Sequence, residues 1–216
     1  MWYSQQKYRR NMRARSKRAR VSSEMDEDTE AEEEGGVSDM VMREGSSVYF
    51  HAAVSRVSIL LLLRHLRAAE KHAFASSVRQ EHARVFLFIH SEGGDAYAGL
   101  SGMNHIQALR VHVTTVADGF VASAATFLLL AGKTRLAMPH ASVLIHQLSA
   151  EFWGKYAELK DEMHNTQQLM RVIQRLYTRR TKIRGKTLQR ILKSELTMTT
   201  NRCLKLGIID GVFDEQ

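Results

Sequence analysis

The sequence predicts an α/β domain of stacked βαβ units, and three observations predict it. Val85-Phe86-Leu87-Phe88-Ile89 is an unbroken apolar run, as expected of a strand buried on both faces of a parallel sheet. A glycine-containing turn, Ser91-Glu92-Gly93-Gly94-Asp95, follows it directly and leads into helical spacing. The same order recurs from residue 111, so strands and helices alternate, the pattern of a parallel sheet covered by helices.

Taken in order, the domain opens on a short β-type run, Ser47-Val48-Tyr49-Phe50-His51. Helical spacing covers 55–69, with Val57, Leu60, Leu61 and Leu63 on one broad face. Residues 75–83 are polar and read as loop. After the buried strand and its turn come a helix over 97–109, a strand over 111–117 and a turn at Asp118-Gly119. A helix over 123–131 stops at Gly132, because glycine takes the left-handed conformation that closes many helices. Short strands at 135–138 and 143–146 flank Pro139. One long amphipathic helix spans 155–180, with Tyr156, Leu159, Met163, Met170, Ile173 and Tyr177 along one stripe. A helix over 200–206, a stop at Gly207 and a strand at Ile208-Ile209 complete the pattern, without internal repeats.

Composition narrows the class. The 216 residues are 44% hydrophobic and 25% charged, ordinary globular usage with enough chain for one well-buried core and a tail. The longest strongly apolar run, Ile59 to Leu63, ends at Arg64, and the uncharged stretch 119–132 is too short to span a bilayer. Cys203 is the single cysteine, so no internal disulfide framework exists, and its apolar helical position suits packing rather than nucleophilic chemistry. The formal charge is +8. Residues 1–20 carry eight basic and no acidic side chains, and residues 24–34 carry eight acidic and no basic ones, so the tail cancels itself. Much of the remaining excess lies between Arg171 and Lys205 on helical pattern with Tyr177 as the lone aromatic. A solvated helix face or subunit contact accounts for it better than a nucleic-acid groove. Residues 1–45 lack hydrophobic periodicity and read as a disordered charged tail, with the domain over 46–216. A cytoplasmic location is expected; the basic start also admits an organelle or the nucleus, but lacks the apolar core of a secretory signal.

Three short motifs carry chemistry. Gly93-Gly94 lies between strand and helix, where glycines can bare backbone N–H groups to a ligand; a plain turn is the simpler account. No phosphate-binding glycine pattern is present. Ser123 follows a strand and a turn among small neighbours, Val121, Ala122, Ala124 and Ala125. Read alone it is a helix N-cap; it is also placed for a substrate carbonyl to approach beside the free N–H groups of a helix start. His146 is one of ten histidines, set at a strand's C-terminal end, where α/β sheets gather ligands. Serine-nucleophile acyl transfer needs these three parts together: donors for an oxyanion, a hydroxyl and a base.

In combination the motifs resemble the proteolytic subunit of the Clp protease family. That family shows a strand and Asn-Ser-Pro-Gly-Gly, then Gly-x-x-Ala-Ser-x-x-x-Phe-Leu, then Pro-x-x-x-Val-x-Ile-His-Gln. Here stand His90-Ser91-Glu92-Gly93-Gly94, then Gly119-Phe120-Val121-Ala122-Ser123 running to Phe127-Leu128, then Pro139 through Val143, Ile145, His146 and Gln147. Thr199-Thr200 through Gly207-Ile208-Ile209-Asp210 is similar to the family's closing motif, and the likeness runs from about Val48 to Val212. Departures are Glu92 for proline, Leu148 for the proline after His-Gln, and Ala124-Ala125 for a Met-Gly type pair.

The resemblance implies a spiral of ββα units with a protruding handle helix at 155–180. It implies Ser123 as nucleophile, His146 as general base and Glu195, at the position of the family's aspartate, as the acid that orients the imidazole. It also implies the backbone N–H groups of Gly94 and Ala124 as oxyanion donors. The expected activity is serine endopeptidase cleavage of unfolded polypeptides inside homo-oligomeric, heptameric rings that can stack. Neither cofactor nor metal is expected, ATP being used by a separate AAA+ unfoldase partner, and no membrane is involved. A catalytically impaired ring subunit, a processing protease such as a viral maturation protease, and a crotonase-type acyl-CoA enzyme are the alternatives.

Overall fold

The computed structural model describes residues 39–214. Most of the charged tail expected over 1–45 therefore lies outside the described residues. Its last part does not behave as tail: β1 (Val41–Glu44) pairs antiparallel with β2 (Ser47–Phe50), with Val41 opposite Phe50. Both Val41 and Phe50 are buried, so the folded unit starts at Met40, a few residues before the expected boundary at 46.

A capping box starts α1 (Arg56–Ser76). The Ser58 N–H donates to Ser55 Oγ at 3.1 Å, and the Ser55 N–H donates to Ser58 Oγ at 2.9 Å, satisfying two backbone donors at a helix start. The helix outruns the expected end at 69. Leu62, Leu66, Ala69 and Ala73 form a continuous buried stripe, and the two alanines contribute too little hydrophobic signal to mark it in the sequence. The polar stretch expected as loop holds a short 3₁₀ turn at Gln80–His82.

The strand β3 (Arg84–Ser91), helix α2 (Ala96–Gln107), strand β4 (His112–Ala122), helix α3 (Ala125–Ala131) and strand β5 (Thr134–Ala137) follow in alternation. Strands β2, β3, β4 and β5 are mutually parallel. Every residue of α3 is buried, matching its lack of any polar face. The register between β3 and β4 shifts after Ile89, where Ser91 comes to lie opposite Val121. The extra residues of β4 bend it, so that its far end pairs parallel with β6 (Ser142–Leu144) while its near end pairs with β5.

The long helix is α4 (Tyr156–Arg180), close to the expected 155–180. After it come α5 (Gly185–Leu192), β7 (Met198–Thr199), α6 (Thr200–Lys205) and β8 (Gly211–Val212). β7 pairs antiparallel with β6, and β8 pairs parallel with β5. Ile208 and Ile209, expected as the last strand, are buried side chains just ahead of it. Arg180 at the end of α4 donates from Nε to the Leu130 carbonyl at 2.9 Å and from Nη2 to the Gly132 carbonyl at 3.1 Å, closing the unpaired end of α3. Among the described residues no helix is long and apolar enough to cross a membrane.

Candidate active site

Because β3, β4 and β6 run parallel, the segments that leave their C-terminal ends meet at one edge of the sheet. Those segments carry Gly93-Gly94, Ser123 and His146 within three residues of the strand ends. A small cleft of about 60 Å³ is lined there by Gly94, Ser123, Ala124, Phe127, His146 and Tyr177, among others. Larger grooves lie elsewhere. The one between α1 and α2 also holds a serine and a histidine, Ser101 and His105, but both lie on exposed helix positions. Its Asp95 is committed to capping α2 through the Ala98 N–H at 2.8 Å.

Ser123 does not cap α3. Ala124 occupies the N-cap position, and Ser123 sits one residue earlier with φ +52°, the one left-handed non-glycine residue among those described. Such a conformation costs about 1–3 kcal/mol and persists only where surroundings over-determine it. Strand-to-helix turns with this strain present a serine hydroxyl outward. Two hydrogen bonds at the residue's backbone fix it: the Ser123 N–H donates to the Leu144 carbonyl at 3.0 Å, and its own carbonyl accepts the Thr126 N–H at 3.0 Å. Since Leu144 lies two residues before His146, the first bond ties the serine to the strand that carries the histidine.

The glycines are required by close approach. A Cβ on Gly93 would stand 2.6 Å from Ser123 Cβ, and one on Gly94 would stand 2.3 Å from the Val54 carbonyl oxygen. Their φ values, +95° and +143°, are also ones that side-chain-bearing residues rarely adopt. A bridge to Val54 holds the turn, with the Val54 N–H donating to the Gly93 carbonyl at 2.7 Å and the Asp95 N–H to the Val54 carbonyl at 2.8 Å. Gly94 is the residue paired with Val54 in this bridge, and its own N–H takes no part in the two bonds. Among the described residues neither the Gly94 N–H nor the Ala124 N–H has a hydrogen-bond partner, and both residues border the cleft. Two unpaired donors beside a hydroxyl can stabilise a developing oxyanion.

His146 Nδ1 lies 3.5 Å from Glu195 Oε1. The β6–β7 register explains the meeting: Ser142 opposes Thr199 and Val143 opposes Met198, and three further steps along each chain reach His146 and Glu195. The Gln147 N–H also donates to the Leu192 carbonyl at 2.8 Å, tying the histidine segment to the end of α5. The imidazole is 21% exposed and the carboxylate 72%, so a mostly covered ring meets a carboxylate that stands largely in solvent. Glu92 is exposed beside the glycines. Cys203 takes no part: it is fully buried, and burial pushes its thiol up to about 12, which keeps it protonated and inert. Among the described residues no group of three or more His, Cys, Asp or Glu side chains is arranged to hold a metal ion.

Sequence reasoning missed Tyr177 and Thr126 as parts of this site. Tyr177 was legible as an apolar-stripe residue of α4, and its ring does pack against Phe127, centroids 6.1 Å apart. A fully buried tyrosine must also satisfy its hydroxyl, and it does so with Thr126 Oγ1 at 2.7 Å. Nothing in the sequence marks a partner 51 positions away.

Comparison with known proteins agrees with the fold. The family model described as Clp protease matches residues 69–216. Three similar proteins are each named ATP-dependent Clp protease proteolytic subunit. The one from Pinus thunbergii is 31% identical over 141 residues, 64% of this chain and 72% of its own length. That from Ostreococcus tauri is 34% identical over 130 residues, 59% and 65% of the two chains. That from Deinococcus radiodurans is 29% identical over 133 residues, 61% and 65%.

Proposed function

We propose that this chain, which belongs to the Clp protease family of serine-type peptidases, cleaves unfolded polypeptides with Ser123 as nucleophile. The observation that carries the reading is the cleft that Ser123 shares with His146 and with two residues whose N–H groups are unpaired, Gly94 and Ala124. His146 takes the hydroxyl proton as Ser123 attacks the scissile carbonyl. The Gly94 and Ala124 amides hold the resulting oxyanion, and His146 returns the proton to the leaving amine. Water then hydrolyses the acyl-enzyme by the same route. Glu195 orients the imidazole from the solvent side.

The chain works as a homo-oligomeric ring and receives substrate from a separate AAA+ unfoldase. Support for assembly comes from α4, whose first half leaves Tyr156 83% and Met163 52% exposed while Ile173 and Tyr177 are buried. An apolar stripe left open on a long helix is suited to a second copy of the chain. Met163→Glu is expected to lower the native mass by sedimentation without unfolding the subunit.

A fluorophosphonate is expected to label Ser123 in the assembled protein, and Ser123→Ala to abolish both labelling and peptide hydrolysis. Labelling at another residue, or none, would sink the serine-nucleophile assignment. The exposure of Glu195 favours one competing reading, a ring subunit impaired in catalysis. Normal assembly with no turnover would establish it.

A further inference from the structure

The carbonyl of Ser123 accepts two hydrogen bonds, from the Thr126 N–H at 3.0 Å and from Thr126 Oγ1 at 2.6 Å. A carbonyl can only accept, so the single hydroxyl proton of Thr126 is spent on it. Tyr177, 2.7 Å from the same Oγ1, must therefore be the donor in their contact. The protons run one way, from the Tyr177 O–H to Thr126 Oγ1 and from the Thr126 O–H to the Ser123 carbonyl. Thr126 is fully buried and Tyr177 is 1% exposed, so water does not compete for these bonds. Burial also pushes the Tyr177 phenol above its usual range, which keeps the donor proton in place.

The Ser123 carbonyl and the Ala124 N–H belong to one peptide unit. No peptide bond is cis among the described residues, and in a trans peptide the C=O and N–H point in opposite directions. Clamping the carbonyl toward Thr126 therefore turns the Ala124 N–H the other way, toward the cleft that Ala124 borders. We propose that Thr126 and Tyr177 are positioning residues, a buried hydroxyl relay that fixes the Ser123–Ala124 peptide plane and so aims one oxyanion donor. The inference rests on the serine-peptidase reading above. It also links α4, which carries Tyr177, to the nucleophile turn: a shift of the helix that parts the two hydroxyls removes the bond that orients the Thr126 hydroxyl and so loosens the clamp on the peptide plane.

The test is kinetic, on the full assembled chain. Thr126→Val keeps the shape and removes the hydroxyl. Losing an oxyanion donor outright costs about 10²- to 10³-fold in kcat, and losing its alignment is expected to cost about 10- to 100-fold, with KM within about twofold. Affinity for a peptide boronate, whose tetrahedral adduct on Ser123 needs the same donors, falls by the same factor. Thr126→Ser restores both. Tyr177→Phe, which leaves the Thr126 hydroxyl free to bond the carbonyl, costs less, about 3- to 10-fold. Where Thr126→Val does not fold, the Tyr177→Phe result decides, and an unchanged kcat and boronate affinity overturns the relay. So does a folded Thr126→Val protein with kcat and boronate affinity within twofold of wild type, whatever its Tm, or a Thr126→Ser protein as slow as Thr126→Val. A wild-type protein that a fluorophosphonate fails to label at Ser123 removes the serine-peptidase reading, and this inference with it.

Discussion

The two sides of the cleft are built differently. On the side of the proposed nucleophile, Ser123 is held by the Leu144 carbonyl, by Thr126 and by Gly93 packed against its Cβ, and the residues around it are buried. On the acid side, Glu195 reaches His146 through one 3.5 Å contact from a largely solvated position. A strained backbone needs enclosure to persist, whereas a charge in water acts weakly and is screened by salt. The contrast teaches that precision here is concentrated on the hydroxyl and the amides. The carboxylate is a lighter influence than a buried aspartate would be.

Mutations can break or sharpen that contrast. His146→Ala removes the proposed base and is expected to lower kcat for a peptide substrate by about 10⁶-fold, as loss of a principal triad member does. Gly93→Ala drives a methyl group into Ser123 and the Ala122 carbonyl. A decrease of about 10²-fold in kcat is expected, comparable to losing an oxyanion donor, with a lower Tm by calorimetry. Retention of full activity would show the nucleophile side to be looser than its packing implies. Glu195→Gln is expected to cost only about tenfold, far below the roughly 10⁴-fold loss typical of a buried triad aspartate. The gap between wild type and Glu195→Gln should narrow as salt is raised; a loss of 10⁴-fold would erase the difference between the two sides.

The smallest effect lies away from the cleft. Arg135 donates from Nε to Asp210 Oδ2 at 3.1 Å and from its backbone N–H to the same oxygen at 2.9 Å. Burial alone would raise the Asp210 carboxyl, but these bonds and the neighbouring charges of Arg135 and Arg180 hold it below the usual range. A carboxyl lowered on folding adds stability above its unfolded value, near pH 4, and loses it as pH falls through the folded value. Asp210→Asn is therefore expected to lower stability by about 1–2 kcal/mol at pH 7, and by less below pH 4. Urea titrations at the two pH values measure it, with little change in kcat.

Much of the fold was legible because its signals are local. The apolar run at β3 and the stripe of α4 announced themselves through hydrophobic periodicity. The elements that escaped were short or weakly patterned. β7 has two residues, too few for any alternation, yet its pairing with β6 is what sets Glu195 against His146. The last turns of α1 bury alanines, and the end of β4 takes its direction from a register shift rather than from any residue pattern. At the site, Gly93-Gly94, Ser123 and His146 were visible in order. The reading of Ser123 as an N-cap failed because a strained turn and a helix start use the same small residues.

By itself the sequence determined which groups are available: a glycine pair, a hydroxyl and an imidazole, each placed at the end of a strand by the alternation of apolar runs and turns. It also determined the parallel arrangement that collects those ends, since βαβ order leaves few other topologies. Only the tertiary structure decided the conformation of Ser123, the two unpaired amides, and the hydroxyl chain from Tyr177 through Thr126. Those depend on contacts between residues far apart in the chain, and a buried polar group finds its partner by geometry in three dimensions, not by spacing along a sequence.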